Sequence, residues 1–138
     1  MIIIGKNIDT NKFEGNLESG SLELNKFKAD NAVIKNQFGD IKGKELCTNG
    51  LDINIESGKV DIAGKFSGKN SVDSEFGKVI IENDLKKEEC GYDVDVEFGK
   101  FVVDGKKFVN DHESYNESSD NNFKIKCSSG DVELDFNK

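Results

Sequence analysis

Arginine, proline and tryptophan are absent from these 138 residues, histidine occurs once, and the longest apolar run is Met1 to Ile4. The missing arginine matters most. All 19 basic residues are lysine and the formal net charge is −8, so a phosphate-tracking surface and the usual bidentate reader of phosphate and guanine are both lacking, which excludes nucleic acid as a partner. Met1 to Ile4, followed by Gly5 and Lys6, is too short for a signal peptide or a membrane span, so no membrane insertion is expected. As written the chain is compatible with the cytoplasm. A chain trimmed of a leader or anchor would read the same and would fit the cell envelope. Tryptophan is missing and alanine is scarce, so Ile, Val, Leu and Phe dominate the apolar set and no segment reads as a long helix. An all-lysine, asparagine-rich, proline-free composition also points to an AT-rich coding genome, and so to a low-GC bacterium.

Cys47, Cys90 and Cys127 are odd in number and widely spaced, without a C-x-x-C pair. They read as reduced, mostly buried thiols rather than a disulfide framework. The single His112 has no cysteine near it in sequence, so neither a metal site nor a cofactor is expected, and no catalytic residue is nominated.

What the chain does have is a period. Gly20, Gly39, Gly58 and Gly77 are 19 residues apart, and Gly99 and Gly130 follow after 22 and 31. Ser or Phe precedes each one, and Leu22, Ile41, Val60, Val79, Phe101 and Val132 stand two positions after. Within each copy apolar and polar residues alternate, as in a strand with one buried face, and the alternation changes phase at the glycine, where the chain must turn. A fixed period near 20 residues predicts a solenoid. The fold expected is all-β, a single-domain β-solenoid over residues 1–138 with about six rungs. Parallel crossovers are overwhelmingly right-handed, which predicts a right-handed coil. The alternative, an antiparallel meander, needs hairpin turns, and Asn49-Gly50 is the one suitable dipeptide.

Several finer expectations follow. Residues 1–12 read as a capping strand, residues 106–122 as a polar, solvated insertion, and Asp131 to Lys138 as a last rung with an open edge. Ser and Phe alternate before the first four glycines, so each ring would fill space left by serines above and below, whereas Phe76 and Phe98 would stack ring on ring. A carboxylate stripe (Glu18, Glu56, Glu75, Glu97) and a lysine stripe (Lys59, Lys78, Lys100) would face each other and pair across the corner. The candidate interaction surface joins Ile80 and Val102, outward and on adjacent rungs, to Asp111, His112, Glu113 and Tyr115 of the insertion.

The phrases Ile55-Glu56-Ser57-Gly58-Lys59-Val60, Ser74-Glu75-Phe76-Gly77-Lys78-Val79 and Val96-Glu97-Phe98-Gly99-Lys100-Phe101 resemble the repeats of the toast-rack domain, an adhesin-like β-solenoid of bacterial envelope-stress proteins. The resemblance spans about Phe13 to Phe136. It implies the solenoid, association with membrane-anchored signalling or surface modules, and no catalytic constellation. No functional residue carries over.

The function expected is therefore non-enzymatic: a binding or scaffold domain contacting a protein or an envelope polymer. One alternative is a bactofilin-like solenoid that self-assembles into homo-oligomers through its ends. A carbohydrate-active enzyme using Glu56 and Glu75 as paired carboxylates is the third reading.

Overall fold

The computed structural model describes residues 2–108, 112–116 and 118–137. The described residues form eleven strands, most of them set by alternating apolar residues: β1 (Ile2–Ser19), β2 (Ser21–Phe38), β3 (Ile41–Thr48), β4 (Leu51–Phe66), β5 (Lys69–Lys86), β6 (Gly91–Phe98), β7 (Phe101–Val103), β8 (Lys106–Phe108), β9 (His112–Tyr115), β10 (Asn122–Ser129) and β11 (Val132–Asn137). They form one sheet that coils as a β-solenoid. The core pairings are all parallel, which disposes of the meander; Asn49-Gly50 is a bend between β3 and β4 and not a hairpin.

Equivalent side chains stack in columns, because parallel registry places each copy directly over its neighbour. Leu22, Ile41, Val60, Val79, Val132 and Phe101 form one such interior column, each at most 2% exposed. Gly43 interrupts a second column between Leu24 and Ile62, and the Leu46 side chain fills its space, since a β-carbon there would lie 2.6 Å from Leu46 Cδ1. Where β4 and β5 lose their backbone ladder, the buried Asn83 substitutes for it. Its Oδ1 accepts from Phe66 N at 3.1 Å and its Nδ2 donates to Phe66 O at 3.4 Å. A second bend recurs at Asn7, Lys26 and Glu45, all with φ between 53° and 56°.

Stacking order departs from chain order at one place. β5 is flanked by β4 and by β10, and β10 in turn is flanked by β6. The final copy of the repeat is thus inserted between the fourth and the fifth. Backbone bonds from Val79 N to Asp131 O (2.9 Å), Gly130 N to Phe98 O (2.8 Å) and Val132 N to Lys100 O (2.8 Å) fix it there on both sides. Asn121 pins the entry of this copy: its Oδ1 accepts from Gly68 N and its carbonyl from Gly91 N.

This arrangement corrects five expectations. The segment from Asp131 is interior to the stack and not its open edge. Ser129 lies between Phe76 and Phe98, so the two rings do not stack on each other. Ile80 and Val102 are not on adjacent levels either, because Glu133 pairs with both. The level at the end of the stack is the fifth copy, and the insertion covers it: β8 pairs antiparallel with β7, and β9 with β6. Residues 106–122 are therefore in part an edge cap rather than a solvated loop. Phe108 stacks on Phe101 and Tyr115 on Tyr92, with centroids 5.4 and 5.5 Å apart, and Phe123 and Phe136 complete an aromatic plug. At the other end β1 is a complete level, paired with β2 from Ile2 to Ser19, not a cap confined to residues 1–12.

Candidate functional site

The glycine corner builds the most distinctive surface. Gly20, Gly39, Gly58, Gly77, Gly130 and Gly99 form a column in which each backbone crowds the next. At Gly39 and Gly77 a β-carbon would sit 1.6 and 1.7 Å from the carbonyl oxygen of the glycine one level away, and φ is about +140° at both. Only glycine satisfies both the close approach and the angle. The residue before each glycine is thrown outward by this turn. The resulting column reads Ser19, Phe38, Ser57, Phe76, Ser129, Phe98, with each member paired to the next. Inserting the last copy restores strict alternation along the whole stack.

Those phenylalanines do not fill interior space, as the alternation alone suggests. Phe38, Phe76 and Phe98 are 56%, 59% and 73% exposed, in a chain whose other phenylalanines are buried or half-buried. Burying such a ring is ordinarily worth about 1.5–3 kcal/mol. Three rings on one line forgo that gain, and the fold gives them no internal role.

Beside this ridge, on the face formed by β1, β2, β4 and β5, runs a shallow open groove of about 320 Å3, lined by Asn16, Lys35, Gln37, Asn54, Glu56 and Glu75 among others. Glu56 and Glu75 of the carboxylate stripe stand in its wall, together with Asp73 and Lys35. The lysine stripe lies on the far side of the ridge, and the two do not pair: among the described residues the lysine–carboxylate contact within 4 Å is Lys12–Glu14. Asp40 and Asp131, in line with the lysines, accept instead from the backbone N–H groups of Lys59 and Lys100 at 3.1 and 3.0 Å. The charged stripes thus face solvent.

The surface expected from sequence is dispersed. Ile80 and Val102 are half-buried and separated by Glu133, and Val102 pairs with Lys107 of the cap. Tyr115 serves packing, stacked on Tyr92 with Lys87 Nζ 4.8 Å above its ring. Glu113 is placed opposite Val94, and Asp111 lies outside the described residues. His112 is no isolated surface residue: its Nε2 is 2.5 Å from Asp93 Oδ1 and 3.9 Å from Asp95 Oδ1. These three side chains could share a divalent ion, since their ligand atoms lie within 4.8 Å of one another. They are partly exposed, and Lys124 and Lys126 are the register partners of the two aspartates on the neighbouring level. The arrangement serves first as a hydrogen-bonded clasp holding β9 to β6. No sequence signal joins His112 to a residue 19 positions earlier; the strand pairing does.

The thiols divide. Cys90 and Cys127 are buried, and burial first, then Glu89, pushes the Cys90 thiol up to about 11, which makes it a poor nucleophile. Cys47, against expectation, is exposed.

A family model described as Toastrack DUF4097 matches residues 3–135. The chain belongs to the Toastrack family. The match takes in β2 to β10, all of β1 but Ile2 and most of β11, so the cap and most of the inserted last copy lie within the Toastrack domain. Comparison with curated proteins and with solved structures returned no match.

Proposed function

We propose that this Toastrack chain is a non-enzymatic binding domain whose contact surface is the phenylalanine ridge with its flanking carboxylate groove, and whose partner is a protein or polymer of the bacterial envelope. The observation that carries the proposal is the ridge. Three exposed aromatic rings at equal intervals contribute nothing to the core, yet the glycine corner holds them in line. Aromatic side chains are the residues most often found anchoring contacts.

One fact weighs against the carbohydrate-active reading. Glu56 and Glu75 are exposed on an open face, and acid–base catalysis by paired carboxylates needs one of them shielded from water so that it stays protonated. Head-to-tail self-assembly is opposed by the cap, because β8 and β9 occupy the edge at that end, while the outer edge of β1 stays open.

The test is retention on envelope material. Wild-type protein should co-sediment with bacterial envelope fragments, and a Phe38→Ser, Phe76→Ser, Phe98→Ser variant of unchanged circular dichroism and melting temperature should stay in solution. Equal retention of the two proteins, or glycan cleavage that is lost in Glu56→Gln, would overturn the reading.

A further inference from the structure

We infer that the ridge is a docking track for a basic polyproline II segment of another protein, lying along the solenoid axis with one turn of the segment per phenylalanine interval. This rests on the binding-domain reading above and names its ligand class.

The first argument is metric. Consecutive rings of the ridge are two levels apart, because Ser57 separates Phe38 from Phe76 and Ser129 separates Phe76 from Phe98. Parallel strands are about 4.7–4.9 Å apart, so the rings repeat at about 9.4–9.8 Å. A polyproline II helix rises about 3.1 Å per residue with three residues per turn, a repeat of about 9.3 Å. Over both intervals the mismatch stays at or below about 1 Å. An extended strand, which returns to the same face about every 6.6 Å, and an α-helix, with a pitch of about 5.4 Å, both run out of phase with the ridge.

The second argument is shape and backbone chemistry. Each interval is floored by a serine, which leaves a notch between two rings, and one pyrrolidine ring per turn can seat in each notch. From Phe38 to Ser129 the strands that carry the ridge pair with a level on each side, so strand addition is confined to the ends of the stack. Polyproline II carries no internal hydrogen bonds and is recognised through aromatic side chains, which suits such a surface.

Charge completes the assignment. Glu18, Glu56, Glu75 and Glu97 run parallel to the rings on one flank, so lysines or arginines at one position of each turn would face carboxylates along the track. The chain contains no proline, so none of its own 138 residues supplies the prolines of such a segment. A second copy fits less well. The twofold arrangement that sets every Phe against a Ser also sets Glu56 against Glu75 and Lys59 against Lys78. Three rings per copy also fall short of the roughly 1,200–2,000 Å2 of a stable interface.

The test uses the whole chain and three fluorescein-labelled dodecapeptides of repeating Pro-Pro-Lys, Gly-Gly-Lys and Pro-Pro-Glu, read by fluorescence anisotropy. Pro-Pro-Lys should bind, and the other two should bind at least about tenfold more weakly. Phe76→Ser should weaken binding by about tenfold. Ser57→Phe, which adds apolar surface but fills a notch, should weaken it as much, and no general stickiness of the ridge would give that result. Glu56→Gln with Glu75→Gln should weaken binding and flatten its salt dependence. Equal binding of Gly-Gly-Lys, tighter binding by Ser57→Phe, Phe-dependent dimerisation in analytical ultracentrifugation, or Phe-dependent binding of a soluble β-linked oligosaccharide in place of the peptide would each overturn the inference. Should envelope retention depend on the phenylalanines while Pro-Pro-Lys fails to bind, this inference falls and the binding-domain reading stands. Should the phenylalanines matter to neither, both fall.

Discussion

From Ile2 to Lys86 each turn of the chain lands on the one before it, whereas from Gly91 onward the chain skips a level, folds a cap over the far side, and returns to fill the slot it left. Both regions use the same repeat, the same glycine corner and the same interior columns. They differ in what chooses the level. In the first region succession along the chain suffices. In the second, level order depends on long-range fits: the Asn121 hydrogen bonds to Gly68 and Gly91, and an aromatic plug that seats Phe123 and Phe136 among Phe66 and Tyr92. A repeat therefore specifies where in the coil a residue sits, but not between which neighbours.

Substitutions common to both regions should have the largest effect. Gly58→Ala places a β-carbon 1.8 Å from Gly39 O, a backbone atom with no flexible end to give way. It should cost more than about 4 kcal/mol, a large part of a domain's total stability. Gly105→Ala, where nothing lies within 4 Å of the added carbon and only the positive φ of 82° opposes it, should cost about 1–2 kcal/mol. Urea titration of the two variants separates crowding from backbone angle.

The next comparison separates the regions. Leu134→Ala, in the inserted copy, and Leu17→Ala, in the first level, should each cost about 2–5 kcal/mol. Their patterns of hydrogen exchange should differ. Loss of Leu17 should unprotect amides of β1 and β2 alone, while loss of Leu134 should unprotect β5 on one side and β7 on the other. A confined loss in both would mean that the last copy is a peripheral level. At the cap, Tyr115→Ala should cost about 1–2 kcal/mol and free the amides of β9 while leaving β1 to β4 protected.

The smallest effect is one of pH. Burial, reinforced by Glu133, Asp104 and Glu82, holds the Asp135 carboxyl above the usual carboxylate range, because the inserted level lays it between acids of the neighbouring levels. A raised carboxyl favours the folded state only while protonated, so its contribution is complete below the ordinary carboxylate range and is lost as pH rises through the raised value. Asp135→Asn should therefore melt higher than wild type at neutral pH, and the difference should close below about pH 4. A difference that grows on acidification would contradict the placement.

Much of this was legible in sequence. The period of 19, the six glycines and the apolar residues two positions after them give the solenoid and its interior column directly, because strand alternation and corner geometry are local. The edge cap was not, since Lys106 to Asn122 is polar in composition and its two short strands exist through pairing with β6 and β7. The ridge was half legible: the Ser and Phe pattern was plain, but its apparent break at Phe98 came from taking chain order for stacking order. The same assumption made neighbours of Ile80 and Val102. His112 and Asp93 meet across a strand pair that no spacing rule anticipates.

The insertion of the last copy is what the ridge, the cap and the acidic cluster around Asp135 all depend on, and engineered cysteine pairs test it directly. In a Cys47→Ser background, Ser71→Cys with Lys124→Cys joins directly paired neighbours, while Ser71→Cys with Asp93→Cys spans two levels, about 9.4–9.8 Å, beyond the roughly 7 Å reach of a disulfide. The first pair should oxidise quantitatively to an intramolecular disulfide and the second should remain reduced. Closure of the second pair and not the first would show that the levels stack in chain order.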